Sequence, residues 1–445
     1  MNARAQRRGF FAGTPSAIQP LLACAALLCA SGASATIQGE VNTTFHLTAK
    51  AGHIYTGDGG VVPAWGFASG DGPMQYPGVT LIVEEGQTIT VHLRNELPSW
   101  AGNVSLLFPG HTVAESGGVA GLLAEEAPPD GTTVVTYQFV ATHPGTYLYH
   151  SGTRPELQVE MGLIGALIVR PSSGPSFAYN APDTAFDREY LFLLSEMDGR
   201  IHDRVAYLGP RGRLDEVDVT TRDPTYWFIN GRNAPDTMAA PFAAWLPNQP
   251  YNAMPMMHPG ERVLMRVIGG GTNLHPFHQH GNHARVIARD GRLLATGPGT
   301  GADLSYEVFT VQSVPGETVD AIYEWTGKGL GWDIYGVGEG FDHACVDGDA
   351  DELDDVTKEY CPDHGKPFPV LLPEQQNLTF GGFYSGSPYM ALPGSLPPGE
   401  GGLNPNAGYV HMWHSHTEKE MTNFDIFPGG MMTMLIIEPP GVPID

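Results

Sequence analysis

The chain has 445 residues, about three times the length at which one compact domain is the default, so two or more domains with ample core are expected. Its 57 glycines and 38 prolines, set against only 16% charged residues, describe a turn-dense chain of short β-branched runs, which points to an all-β protein. With 48 acidic and 23 basic residues the net charge is −25, which argues against nucleic acid or anionic membranes as partners and favours cations.

Residues Leu21 to Ala30 (LLACAALLCA) are apolar but too short to span a bilayer; they follow an Arg-bearing start and precede Ala33-Ser34-Ala35, a small-residue cleavage pattern. A signal peptide over 1–35 is therefore expected, and with it a periplasmic or secreted protein. Arg7-Arg8-Gly9-Phe10-Phe11 also resembles a twin-arginine export signal. Cys24 and Cys29 leave with that peptide, so Cys345 and Cys361 are expected to form one disulfide in an oxidising compartment. No other apolar stretch approaches the ~18 residues of a membrane helix, so no membrane span is expected.

Further along, the chain repeats itself. Val79 to Pro98 has a counterpart in Met257 to Asn273, each read as a strand, a Gly turn and a second strand, and so as a hairpin. Pro129 to Gly152 is echoed by Pro315 to Gly336, each with a Gly-containing corner and an aromatic-rich strand. Both copies finish in an apolar strand opened by Gly and closed by Pro, Gly162 to Pro171 and Gly429 to Pro440. Two β-sandwich domains follow, over 36–172 and 188–445, joined by a linker at 173–187, the second enlarged by an insertion at about 337–406 that is expected to be an ordered surface excursion. Within it Asp347, Asp349 and Asp351 alternate as in a calcium loop, but Glu352 stands where such a loop needs glycine and no bidentate Glu follows, so calcium is not expected.

The chemistry points to histidine. Of 17 histidines, several crowd into HPFHQH (His275 to His280) and His414-Ser415-His416. On a strand, residues two apart share a face, so His278 with His280, and His414 with His416, each project two imidazoles one way. Two such strands side by side converge four nitrogen ligands suited to copper, zinc, iron or nickel. No nucleophile motif, phosphate loop or dinucleotide fingerprint competes with this reading.

HPFHQHGNH (His275 to His283), GTYLYHSG up to His150, and NAGYVHMWHSH through PGGMM resemble the third, second and fourth copper-ligand motifs of the multicopper oxidases, and the resemblance spans nearly all of the mature chain. It implies two cupredoxin-like Greek-key β-sandwiches of the laccase type, and, from the small two-domain members, a homotrimer. Carried over position by position, the surviving cluster ligands are His150, His278, His280, His414 and His416. His275 remains at the separate electron-transfer site, and His111 could replace a lost ligand from its loop; His258, His283 and the methionines Met254, Met256, Met257, Met431, Met432 and Met434 are weaker candidates, read as packing residues.

The sequence departs from the family at five positions. Leu107 and Pro109 stand where the first motif has histidines, Gly152 replaces the second ligand of the second motif, and Ser415 and Glu420 replace the cysteine and following histidine of the fourth. A serine hydroxyl cannot substitute for thiolate sulfur, so no blue copper and no ordinary laccase activity are expected. The expectation is a non-blue histidine site holding one or two copper ions, with zinc as the alternative metal, and an unknown small-molecule or metal-ion substrate. A copper-sequestering protein without turnover and a metal-free scaffold for protein contacts are the alternatives.

Overall fold

In the computed structural model, residues 37–335, 344–366, 409–438 and 442–444 are described. The expected signal peptide, with Cys24 and Cys29, lies outside them, as does the insertion apart from 344–366. The first sandwich comprises β1 (Glu40–Val41), β2 (Thr44–Tyr55), β3 (Val61–Ser69), β4 (Leu81–Glu84), β5 (Thr88–Asn95), β6 (Ala114–Ser116), β7 (Val119–Ala120), β8 (Glu125–Glu126), β9 (Val135–Val140), β10 (Gly145–His150), the short helix α1 (Pro155–Gln158) and β11 (Ile164–Arg170). Its sheets run β1-β4-β11-β10 and β3-β2-β5-β9-β6, with β7 and β8 paired apart.

The second comprises β12 (Arg188–Met197), α2 (Gly199–Leu208), β13 (Tyr226–Ile229), β14 (Met256–Met257), β15 (Arg262–Gly269), β16 (His275–Gln279), β17 (Ala284–Arg289), β18 (Arg292–Leu293), β19 (Tyr306–Val308), β20 (Thr310–Ser313), β21 (Thr318–Glu324), β22 (Tyr409–Ser415) and β23 (Met432–Ile437). One sheet runs β13-β12-β15-β21-β17-β18 with β19 on β17; the other runs β14-β23-β22-β16-β20. Strands thus dominate the regular secondary structure of the described residues, in the all-β, two-sandwich arrangement that the sequence implies.

Period-2 alternation explains the outer strands. In β5, Ile89, Val91 and Leu93 are fully buried while Thr90, His92 and Arg94 are half-exposed, and each inward aliphatic contributes about 1.5–3 kcal/mol of burial. β15 (RVLMRVIG) is buried on both faces instead: Val263, Met265 and Val267 enter the core of the second sandwich, Leu264 and Ile268 the packing on its other side. Arg266 on that strand is fully buried and held by Glu189 at 3.0 Å and Thr146 at 3.0 Å, with Asp320 at 3.7 Å. Thr146 belongs to β10, so this ionic group ties the two sandwiches together, beside an apolar layer of Leu148 and Ile168 against Leu193 and Ile268.

Three local readings are corrected. The expected hairpins at Val79–Pro98 and Met257–Asn273 are not hairpins, because β4 and β5, and likewise β14 and β15, belong to opposite sheets, so each Gly turn is a corner crossing the core. Residues Trp332 to Tyr335 form turns rather than an aromatic strand; the true counterpart of β10 is β22, beyond the insertion. In both sandwiches the same three-strand unit recurs: β4-β11-β10 and β14-β23-β22, parallel then antiparallel. Finally, α2 has no counterpart in the sequence reading. Asp198 caps its N-terminus by accepting from Arg200 N, and Ile201, Val205 and Leu208 pack into the core of the first sandwich.

The stretch expected as a linker is packed, with Ala178, Tyr179 and Phe186 buried against Leu264 and Ile322. Cys345 and Cys361 are disulfide-bonded across a Cα separation of 5.6 Å, as expected. Asp347, Asp349 and Asp351 gather on the exposed surface there, and the Asp347 carboxylate accepts from the Asp351 and Glu352 backbone N–H groups. Among the described residues no helix is long and apolar enough to cross a membrane.

Candidate metal centre

β16 and β22 are antiparallel neighbours in direct register, His278 opposite His414 and Phe277 opposite Ser415. Phe277, Trp413 and Leu435 face the core of the sandwich, so the alternate residues of both strands turn to the other side and carry their imidazoles with them. Ring centroids lie 4.9 Å apart for His278 and His280, 5.5 Å for His278 and His414, 5.1 Å for His280 and His414, and 4.8 Å for His278 and His416. His278, His280 and His414 are buried, and their ligand nitrogens lie within 4.8 Å of one another. His416 is the rim of the group, with about a third of its side chain exposed.

Hydrogen bonds fix which nitrogens are offered. His278 Nδ1 is 2.8 Å from Thr310 Oγ1, and His414 Nδ1 donates to Ser415 O at 2.7 Å, which assigns Nε2 of each to the cluster. His280 Nε2 and His414 Nε2 are 3.2 Å apart. Two nitrogens each about 2.0 Å from a tetrahedral ion would be separated by about 3.3 Å, so this donor set fits a divalent metal. Burial, then the neighbouring imidazoles, push His280 down to about 2, and burial likewise lowers His414, so these rings are neutral, as ligands must be.

Within one chain, His150 stands apart from the other four histidines of the expected set. His150 ends β10 in the first sandwich, opposite Ile164 at the start of β11, just as His414 lies opposite Met432 at the start of β23. The parallel extends to hydrogen bonding, since His150 Nδ1 donates to Ser151 O at 2.9 Å. Among the described residues His150 is nevertheless outside the close group, because it belongs to the equivalent sheet of the other sandwich. Leu107, at a vacated ligand position, pairs backbone to backbone with His150. A Cβ on Gly152 would meet Leu107 Cγ at 2.8 Å, so the two substitutions share one space: the leucine occupies what a larger residue at 152 would need.

His111 does not swing in. Its ring packs on Phe139 and Tyr147, 4.7 and 4.5 Å between centroids. His258 is held by Glu261 and the Val442 carbonyl, His283 packs on Phe309, and Met257 and Met431 are core residues of the second sandwich. A cavity of about 560 Å³ lies at Tyr147, Leu148, Arg289 and Asp290, and none of its lining residues is a candidate ligand.

His275, the second-tier ligand candidate, stands apart from the close group. It is fully buried, with Nε2 2.9 Å from Glu196 Oε2 and Nδ1 2.8 Å from Glu420 Oε2, so both nitrogens are engaged. Burial would lower this ring, but the hydrogen bonds and charges of Glu196 and Glu420 outweigh it and raise it to about 9. Glu196, which burial would raise, is instead held down to about 2 by His275 and Arg222. Ser415 Oγ donates to the same Glu420 oxygen at 2.5 Å. Where the fourth motif has cysteine and histidine, this chain has a hydroxyl and a carboxylate closed around a protonated imidazole. The sequence reading noted Ser415 and Glu420 but missed Glu196, whose signal is an acid inside the apolar run LFLLSEM.

A multicopper oxidase family model matches residues 70–174. The chain is 27% identical over 254 residues to laccase-7 of Oryza sativa, covering 55% of this chain and 39% of that protein. It is 24% identical over 278 residues to copper resistance protein A of Pseudomonas syringae, covering 57% and 42%. The chain thus spans less than half the length of these relatives. Among solved structures, the blue copper oxidase of Nitrosomonas europaea shares the fold at 18% identity, with a TM-score of 0.51 over 89% of this chain and 86% of that one. A multicopper oxidase domain is thus matched over residues 70–174, in the first sandwich, and the laccase and copper-resistance relatives are similar to this chain over little more than half of its length.

Proposed function

We propose that the protein is an exported copper-binding oxidoreductase with a reduced, non-blue metal site, in which His278, His280, His414 and His416 hold one copper ion. The observation that carries this reading is the 3.2 Å approach of His280 Nε2 to His414 Nε2 within a buried, neutral imidazole group. Copper in such a site would supply one-electron redox chemistry. The chain itself contributes fixed tautomers through Thr310 and the Ser415 carbonyl, partial exclusion of water by burial, and one open side at His416. Zinc fits the same nitrogens and is the second choice of metal.

The substrate is a small molecule or metal ion that reaches this open side directly, because Ser415 and Glu420 leave no thiolate path from a separate electron-entry site. His150, presented from the other sandwich in the same local geometry as His414, would complete the ligand set of a neighbouring copy, in a homotrimer. The N-terminal pattern Leu21 to Ala35 supports export to the periplasm or the medium.

Oxygen uptake by copper-loaded protein is the test. Slow, copper-dependent uptake with phenols or reduced metal ions, without strong blue absorption, is expected. Firm copper retention without any uptake would replace the oxidoreductase by a sequestering protein, and a strong blue band would contradict the site described.

A further inference from the structure

The four-histidine cluster spans a strand pair, with His414 and His416 toward the end of β22. β22 stops at Ser415 and β16 begins at His275, so His416 sits beyond the ladder, held there by its backbone N–H to Pro276 O at 2.8 Å. At that same end are three buried ionisable groups that the metal reading does not use: Glu196 on β12, His275 on β16 and Glu420 after β22.

Each ring nitrogen of His275 lies within 2.9 Å of a carboxylate oxygen; against two ionised carboxylates, which only accept, both nitrogens would donate and the ring would be a cation between two anions. Each carboxylate is then anchored to something the cluster depends on. Glu420 Oε2 also accepts from Ser415 Oγ, and the Ser415 carbonyl is what holds the His414 tautomer. Glu196 Oε1 accepts from Thr272 N and Oγ1 and Asn273 N, the backbone leading into β16, and Arg222 bridges it to Glu160 of the first sandwich.

We propose that Glu196, His275 and Glu420 form an ionic clamp that positions the cluster, tying the His278–His280 strand to the His414–His416 strand through Ser415. These are positioning residues: none is a ligand, and their effect on metal passes through the Ser415 carbonyl and the entry to β16. The inference rests on the metal reading for its consequence but not for its geometry. The clamp predicts that disturbing Glu420 or Ser415 moves His414 and His416 and leaves His150, in the other sandwich, where it is.

The full chain and its Glu420→Ala, Ser415→Ala and Glu420→Gln variants would be titrated with Zn²⁺ against a chelating dye. The imidazole ¹H–¹⁵N resonances would be recorded without metal. Glu420→Ala should weaken Zn²⁺ binding about tenfold, and Ser415→Ala, which cuts only the tie to β22, severalfold. Both should displace the His414 and His416 resonances but not those of His150. Glu420→Gln, which keeps an acceptor for His275 and a partner for Ser415 but removes one of the clamp's two anions, should fall between the parent and Glu420→Ala in both readouts. Parent-like affinity and unmoved His414 and His416 resonances in the alanine variants, whatever their melting temperatures, overturn the clamp. If the parent binds no Zn²⁺ or Cu²⁺, the metal reading fails separately, and the metal-free resonances still decide the clamp, displaced in its favour or unmoved against it.

Discussion

The charge on His275 gives the protein a stability signature at alkaline pH. The ring is raised from 6.5 to about 9, so its contribution is complete below pH 6.5 and disappears as pH climbs through 9. Linkage over those two values gives about 3 kcal/mol at pH 6, about 2 kcal/mol at pH 7.5 and under about 0.5 kcal/mol at pH 9.5. The charged groups facing the ring are Glu196 and Glu420, with Arg222 on the far side of Glu196 and Glu160 beyond it. Glu196 is itself depressed to about 2, so its own contribution is lost only as pH falls toward that value, outside this window.

Replacing the ring by the neutral His275→Gln removes the cation and leaves two buried carboxylates face to face. The variant should be several kcal/mol less stable at pH 6, and the gap should narrow by about 3 kcal/mol by pH 9.5, or about 3–5 °C in apparent Tm for a chain of this length. The assay is thermal unfolding of both proteins across pH 6–9.5 at constant ionic strength. A gap that stays constant over that range would refute a cationic His275 between two carboxylates.

Three further outcomes follow from packing and charge. Gly152→Ala should cost about 1–3 kcal/mol, because its new Cβ meets Leu107 Cγ at 2.8 Å, and adding Leu107→Ala should recover part of that loss in a double-mutant cycle followed by denaturant unfolding. Arg266→Ala should destabilise by about 3–5 kcal/mol, since it takes from buried Glu189 one of its two arginines and from buried Asp320 its cation, leaving the latter only Thr146 and Tyr179; a loss under about 1 kcal/mol would contradict their pairing. Reduction of Cys345–Cys361, which closes 16 residues, should cost about 3 kcal/mol and expose the 345–361 loop to protease before the sandwiches open; resistance equal to that of the oxidised protein would contradict a structural disulfide.

The strands were legible wherever one face meets water, as in β5, because alternation of Ile89, Val91 and Leu93 with polar neighbours has one explanation. Pairing was less legible. A Gly turn between two apolar runs reads as a hairpin, yet Gly86 joins β4 and β5 across the core, and nothing local to the turn distinguishes the two arrangements. The insertion hid the true repeat, since it separates β21 from β22, whereas β9 runs almost directly into β10. The His-x-His pairs were readable from spacing, and their convergence needed only that β16 and β22 be neighbours. His150 was matched to the same cluster by motif and placed in the first sandwich by the domain boundaries, so its separation from His278, His280 and His414 within one chain follows from that placement. The clamp was half visible: Ser415 and Glu420 stood out as departures, while Glu196 lies 79 residues before His275 and becomes its partner only through the β12-β15 sheet that brings β12 near the start of β16.

Whether this histidine group binds a metal is settled by elemental analysis of the protein loaded with copper and dialysed exhaustively, beside a His414→Ala, His416→Ala double variant. About one copper per chain should be retained in the parent and lost in the variant. Equal retention in both, or none in either, would contradict metal binding by this group.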